Sequence, residues 1–93
     1  MRFQVYHAKN PTFQAPHPSL NECSWVATVE ANDLDEVFLL TNHIDKPWWG
    51  DDGIITFKPD SRSTSVGDLV LMESGGRWFR CEMAGWTEEK IRY

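Results

Sequence analysis

The residues that most often bind metals or act as nucleophiles are widely scattered in this sequence. The histidines are His7, His17 and His43, and the two cysteines, Cys23 and Cys81, lie 58 positions apart. Zinc sites usually include at least one close pair of ligands, and a cysteine nucleophile needs a neighbouring base. We therefore expect no metal site, no cofactor and no catalytic cysteine.

Motifs for phosphate binding and for acid–base catalysis are also missing. The six glycines form neither a GxGxxG pattern nor a P-loop. Asp51 and Asp52 are adjacent carboxylates, but a general acid and a general base need different environments, and neighbours on a loop are both hydrated. The sequence therefore predicts a protein without enzymatic activity.

Two adjacent tryptophans give the strongest signal for partner binding. In an extended segment, successive side chains point in opposite directions, so either Trp48 or Trp49 is expected to be exposed. It would lie beside Asp51 and Asp52, and an exposed tryptophan with a charged rim is typical of an interface hot spot. Together with Asp45, these residues form the predicted partner-binding site. The alternative is that one ring caps the core while the other lies flat over the end of a helix.

The charge distribution indicates which class of partner to expect. The net charge is −5, and residues 30–60 alone hold eight acids against two lysines. Such a field repels phosphate, so we expect no direct binding of nucleic acid. It suits a basic protein surface, although a solvated acidic face is the alternative explanation.

A second candidate site involves Arg62 and Ser65. Both lie in a polar run that ends at Asp68, where hydroxyl groups and a carboxylate can satisfy the backbone of a turn before a strand starts. A pocket beside Arg62 and Ser65 would suit a small ligand or a nucleotide. Sequestering such a ligand is therefore the alternative function.

Length and hydrophobicity predict a single domain, residues 1–93. No apolar segment of the kind found in signal peptides follows Met1, and no run approaches the roughly 18 apolar residues of a membrane span. We therefore expect a cytoplasmic protein with no membrane contact, whose two thiols are reduced and packed. The oligomeric state is left open.

Hydrophobic patterning predicts strands at both ends of the chain and a helix between them. Alternating apolar residues predict a strand at 2–7, a run rich in β-branched and aromatic residues predicts one at 24–30, and Ile54–Phe57 has the composition of a short strand. Asp33 and Glu36 have the spacing of a capping box, which predicts a helix over about 33–43. The expected core residues are Val5, Trp25 or Val26, Leu34, Val37, Phe38, Leu69, Leu71, Phe79 and Cys81.

The C-terminal third is predicted to be a β-hairpin. Arms at 68–73 and 77–83 flank Ser74-Gly75-Gly76, and glycine tolerates the positive φ angles that such a turn requires. In the second arm, we expect the face with Phe79, Cys81 and Met83 to be buried. Arg80 and Glu82, on the other face, are expected to be solvated, with Trp78 partly covering its neighbours.

Two patterns in the chain are similar to patterns in known proteins. The first runs from Ser63 to Trp86 and reads S-x-S-V-G-D, strand, glycine, strand, glycine-aromatic. The second is Thr41–Trp49, with the pattern TN-x-I-D-x-x-WW. Together they span about a third of the chain, and they resemble small uncharacterised proteins of phages and mobile elements, including those with a YodL-like C-terminal module. The resemblance implies relatedness but no established activity.

These observations combine into one expectation for the fold and one for the function. The fold is expected to be α+β, with a small, mainly antiparallel sheet of three to five strands, one helix packed on one face, and a C-terminal hairpin. The function is expected to be that of a non-enzymatic binding module. It would be a phage-encoded accessory protein that binds a host protein, such as a defence component, through an acidic, Trp-containing surface.

Overall fold

One antiparallel sheet and one helix make up the part of the chain that the structure describes. The computed structural model describes residues 1–10, 16–42 and 53–91. Within these ranges the helix α1 spans Leu34–Thr41, a single 3-10 turn spans Leu20–Glu22, and the six strands are β1 Arg2–Ala8, β2 Cys23–Glu30, β3 Ile54–Phe57, β4 Leu69–Met72, β5 Arg77–Glu82 and β6 Gly85–Glu89. The strand order is β3-β2-β1-β4-β5-β6, and every neighbouring pair is antiparallel.

The sheet confirms the predicted α+β class but has one strand more than the expected three to five. The additional strand is β6, which pairs with β5 at the edge of the sheet. Its sequence contains a single large apolar residue, Trp86, and two acids, Glu88 and Glu89. Because an edge strand can form with little apolar alternation, hydrophobic patterning alone did not predict it.

The helix begins as its capping residues predict. The side chain of Asp33 accepts a hydrogen bond from the backbone N–H of Glu36 at 2.8 Å, and the Glu36 carboxylate accepts one from the backbone N–H of Asn32 at 3.1 Å. The helix ends at Thr41, whose hydroxyl donates to the Val37 carbonyl at 2.8 Å. No helix in the described part of the chain is long and apolar enough to cross a membrane.

The main core lies between α1 and one face of the sheet. Across the central strands, Phe3 of β1 pairs with Val29 and Met72, and two positions along the same strand Val5 pairs with Ala27 and Val70. Val37 brings the helix onto this face. The fully or nearly buried members of this cluster are Phe3, Val5, Val26, Ala27, Val29, Ala31, Val37 and Val70.

The opposite face of the sheet is also partly covered, which corrects the predicted faces of β5. Trp78 is buried and its ring lies 5.3 Å from that of Tyr6, while Leu69 is completely buried. Arg80, expected to be solvated, is only 3% exposed, whereas Met83, expected to be buried, is 80% exposed. Of the predicted buried set, Cys81 is buried and Phe79 is half-buried.

The structure shows the cause of each difference. Arg80 is buried because the segment around Pro18 lies against it, and the guanidinium donates hydrogen bonds to the carbonyls of Pro18 and Gly67. Glu82 on the same face is half-buried and contacts His17, which belongs to that segment. Met83 is exposed because β5 ends at Glu82, so this methionine lies in the turn between β5 and β6 rather than in a strand.

Replacing Phe3 by alanine is expected to lower the free energy of unfolding by about 3–5 kcal/mol, because the ring is almost fully buried at the centre of the core. The matched control is Phe57→Ala, because Phe57 lies on the edge strand β3 and is partly exposed. It should cost only about 1 kcal/mol. Urea denaturation measures both values, and equal losses for the two variants would contradict the placement of the core.

Candidate functional site

The residues of the predicted partner-binding site lie outside the part of the chain that the structure describes. They are Asp45, Trp48, Trp49, Asp51 and Asp52. Binding through these residues therefore stays a prediction. The described residues contain three other places where polar or apolar side chains converge.

The first is a buried carboxylate, Asp68, immediately before β4. Its two oxygens accept hydrogen bonds from the backbone N–H groups of Ala8 and Ser65, each at 2.8 Å. The guanidinium of Arg62 donates two more, at 2.7 and 2.8 Å. Asp68 is completely buried, and Arg62 meets it in the bidentate geometry that gives strong charge-assisted hydrogen bonds.

The structure therefore brings Arg62 and Ser65 together, as the candidate ligand pocket requires. Both face Asp68, and Arg62 also donates to the carbonyl of Ala8 at 2.8 Å. A shallow cavity of about 220 Å³ adjoins Arg62, which is small for a ligand site. The observed contacts give these two residues a role in holding the turn, as the sequence also indicated, and ligand binding there stays a prediction.

His7 lies next to this carboxylate and is buried with it. Its Nε2 is 2.8 Å from the hydroxyl of Thr64 and 3.7 Å from Asp68. Burial lowers the pKa of His7 from 6.5 to about 4, with Asp68 acting in the opposite direction and Arg62 in the same one. The imidazole is therefore neutral at physiological pH and shares in the buried polar network.

The two thiols are free and unsuited to nucleophilic catalysis. Burial raises the pKa of the Cys81 thiol to about 11, and burial likewise raises the pKa of Cys23. Only the thiolate is a strong nucleophile, so both groups are protonated and unreactive near neutral pH. In the described ranges, no group of three His, Cys, Asp or Glu side chains is placed to hold a metal ion.

The second place is a cleft of about 770 Å³ beside Arg80. The guanidinium donates to both oxygens of Glu89 at 2.8 and 3.0 Å, in addition to its two backbone carbonyls. These contacts use four of its five N–H donors within the fold. The remaining charged side chain in the lining is Lys90, so the cleft presents no concentrated charge of one sign to a ligand.

The third place is an apolar groove between α1 and the turn that joins β5 to β6. It encloses about 340 Å³, and its lining residues, which we call the groove set, are Asp35, Phe38, Leu39, Cys81, Glu82, Met83, Gly85 and Trp86. Leu39 is 69% exposed and Met83 is 80% exposed, while Phe38 and Trp86 are half-buried. Convergence of large apolar side chains on a surface is typical of contact sites.

The charges of the groove set are all of one sign. Asp35 lies at the start of α1 and Glu82 at the end of β5, and the set contains no lysine or arginine. Glu82 is also 3.0 Å from His17 Nε2. An apolar centre with acidic neighbours is complementary to an apolar side chain flanked by lysine or arginine.

Sequence reasoning missed the groove, although one signal was available. Residues 34, 37, 38 and 41 form the core-facing stripe of the helix, and Leu39 lies about 200° around the axis from Val37. An apolar residue so far from the stripe is solvent-exposed unless a partner covers it. Met83 gave no such signal, because its exposure depends on where β5 ends.

His7 predicts how stability changes with pH. Because its pKa is lower in the folded protein than in the unfolded chain, the unfolded state takes up a proton first as the pH falls. Stability should therefore be fully present above pH 6.5 and decline from there towards pH 4, by up to about 1.4 kcal/mol per pH unit.

Urea denaturation at pH 7.5, 6.5 and 5.5 measures this decline, above the range in which most carboxylates titrate. In His7→Gln, which lacks the titrating group, the decline should be much smaller, whereas His17→Gln should retain the part that His7 contributes. An unchanged decline in His7→Gln would show that His7 is not the responsible group.

Comparisons with known proteins offer no relative from which a role could be transferred. No protein-family model, no curated protein and no solved structure matches the chain. The function must therefore be inferred from the side chains and contacts described above.

Proposed function

We propose that this protein is a non-enzymatic binding module that captures a partner protein in the groove between α1 and the β5–β6 turn. The observation that carries the proposal is the exposure of Leu39 and Met83 beside the half-buried rings of Phe38 and Trp86. Phenylalanine, tryptophan and methionine are enriched at protein interfaces, and methionine adapts its shape to the partner. Covering these side chains would remove apolar surface from water.

The partner segment has a definite chemistry. An apolar side chain fills the groove, and a lysine or arginine beside it meets Asp35. The net charge of −5 adds long-range attraction for a basic protein and speeds the encounter. Salt should therefore weaken binding mainly by slowing association.

The acidic, Trp-containing segment is part of the same proposal. We assign Asp45, Trp48, Trp49, Asp51 and Asp52 to a second contact region for the same partner, because tryptophans beside carboxylates suit a basic, apolar surface. This assignment rests on residue types alone. The resemblance to proteins of phages and mobile elements supports a further part of the proposal, in which the partner is a host protein in the cytoplasm, such as a defence component.

Single charges placed in the groove should weaken capture without unfolding the protein. The binding probe is obtained by selecting a phage-displayed library of random nine-residue peptides on the wild-type protein and synthesising the enriched peptides. Leu39→Asp and Met83→Asp should each weaken peptide binding tenfold or more, about 1.4 kcal/mol, because they place a carboxylate in an apolar contact. Fluorescence polarisation measures the affinities.

The matched control is Ile55→Asp, which makes the same change at another exposed apolar residue. Ile55 is 45% exposed and lies on β3, at the opposite edge of the sheet from β6. It should bind the peptides as the wild type does, and circular dichroism should report the same fold for all variants. If no peptide is enriched, or if all three variants bind equally, the groove is not the binding site.

A further inference from the structure

The groove is bordered by β6, the last strand of the six-stranded sheet. β6 pairs with β5 on one side, and in the described part of the chain no strand pairs with its other side. An edge strand carries backbone N–H and C=O groups that can pair with a strand of another chain. In β6, these groups lie directly beside the groove set, of which Gly85 and Trp86 are members.

The register identifies the backbone groups that face outward. β5 and β6 are joined by the two residues Met83 and Ala84, and Glu82 is paired with Gly85. In a two-residue hairpin the closing pair is hydrogen-bonded, and hydrogen-bonded pairs then alternate along the strands. Gly85, Thr87 and Glu89 therefore direct their backbone groups towards β5, whereas Trp86 and Glu88 direct theirs away from it.

The same register places one side of an added strand over the groove. Trp86 pairs with Cys81, and the side chains of both residues line the groove. A strand added to β6 would lie about 4.8 Å further out, with alternate side chains on the face that Trp86 occupies. One of these side chains would then reach the apolar space between Trp86 and Leu39.

We propose that the partner binds as an additional strand, pairing through its backbone with Trp86 and Glu88 while one of its apolar side chains enters the groove. The proposal rests on the proposed function and specifies the conformation of the partner segment. Backbone hydrogen bonds supply affinity in this mode, and the groove selects the side chain. The segment is extended and alternates an apolar residue with lysine or arginine.

A segment of a different, basic protein suits this edge better than a second copy of the chain does. Glu88 and Glu89 of β6 are already paired with Arg77 and Arg80, so the overall charge decides between the two occupants. Each copy carries a net charge of −5, and two copies therefore repel one another. A basic segment is instead attracted by this net charge and by Asp35 in the groove set.

The test removes one outward N–H group without breaking the hairpin. Glu88→Pro lacks the N–H that would bind the added strand, and proline is tolerated on an edge strand where its missing donor faces outward. The matched control is Glu88→Ala, which keeps the N–H but loses the ion pair of Glu88 with Arg77, whose hydrogen bonds are 3.0 and 2.8 Å long. With the selected peptides as probes, Glu88→Pro should bind at least tenfold more weakly than Glu88→Ala.

Equal affinities of the proline and alanine variants would overturn strand addition. The aspartate variants of Leu39 and Met83 would still decide separately whether the groove binds. If circular dichroism shows that Glu88→Pro does not fold, backbone pairing with β6 is tested by modifying the peptide instead. In an extended peptide paired with β6, every second amide faces β6 and the others face away from it. N-methylation of the amides that face β6 should abolish binding, and N-methylation of the others should leave it nearly unchanged. Equal effects of the two sets would overturn the proposal.

Sedimentation equilibrium tests whether β6 pairs with a second copy of the chain instead of a basic partner. The wild-type protein should be monomeric at the concentrations used for binding. A wild-type dimer that becomes a monomer in Glu88→Pro, but remains a dimer in Glu88→Ala, would show that a second copy occupies β6 and would overturn the assignment to a basic partner.

Discussion

The buried carboxylate of Asp68 is the contact on which the arrangement of the sheet depends. A charged group that leaves water loses several kcal/mol of hydration unless donors replace it. Asp68 has four such donors, two from Arg62 and two from the backbone, and they come from the end of β1 and from the turn that precedes β4. Because the carboxylate stays satisfied only while these segments remain together, it holds the connection between them in one conformation.

The same region holds the hairpin that forms one wall of the groove. The backbone of Cys81 donates to the Asp68 carbonyl at 2.8 Å and accepts from the Gly67 N–H at 2.9 Å, which ties β5 to the turn before β4. Arg80 extends the connection to β6 through Glu89. Trp86, which pairs with Cys81, and Met83 in the adjoining turn are therefore presented by a rigid support, and a prepared surface loses less conformational freedom on binding than a loop does.

Local chemistry predicted the parts of the fold that depend on neighbouring residues. Asp33 caps the helix, and glycines at positive φ form the turn between β4 and β5, because caps and turns are determined by a few adjacent residues. The burial of Arg80 was not predictable in this way, because it requires the Pro18 carbonyl from a distant segment. The groove set likewise joins α1 to the β5–β6 turn, a contact between elements over forty residues apart that only the tertiary structure creates.

Backbone amide hydrogen exchange with and without a selected peptide tests the central claim most directly, because it reports on individual N–H groups of β6. If the partner adds a strand, peptide binding should slow exchange of the Trp86 and Glu88 amides at least tenfold beyond any change at Thr87, whose N–H already faces β5. Exchange at Trp86 and Glu88 that stays unchanged while the peptide is bound would contradict the account.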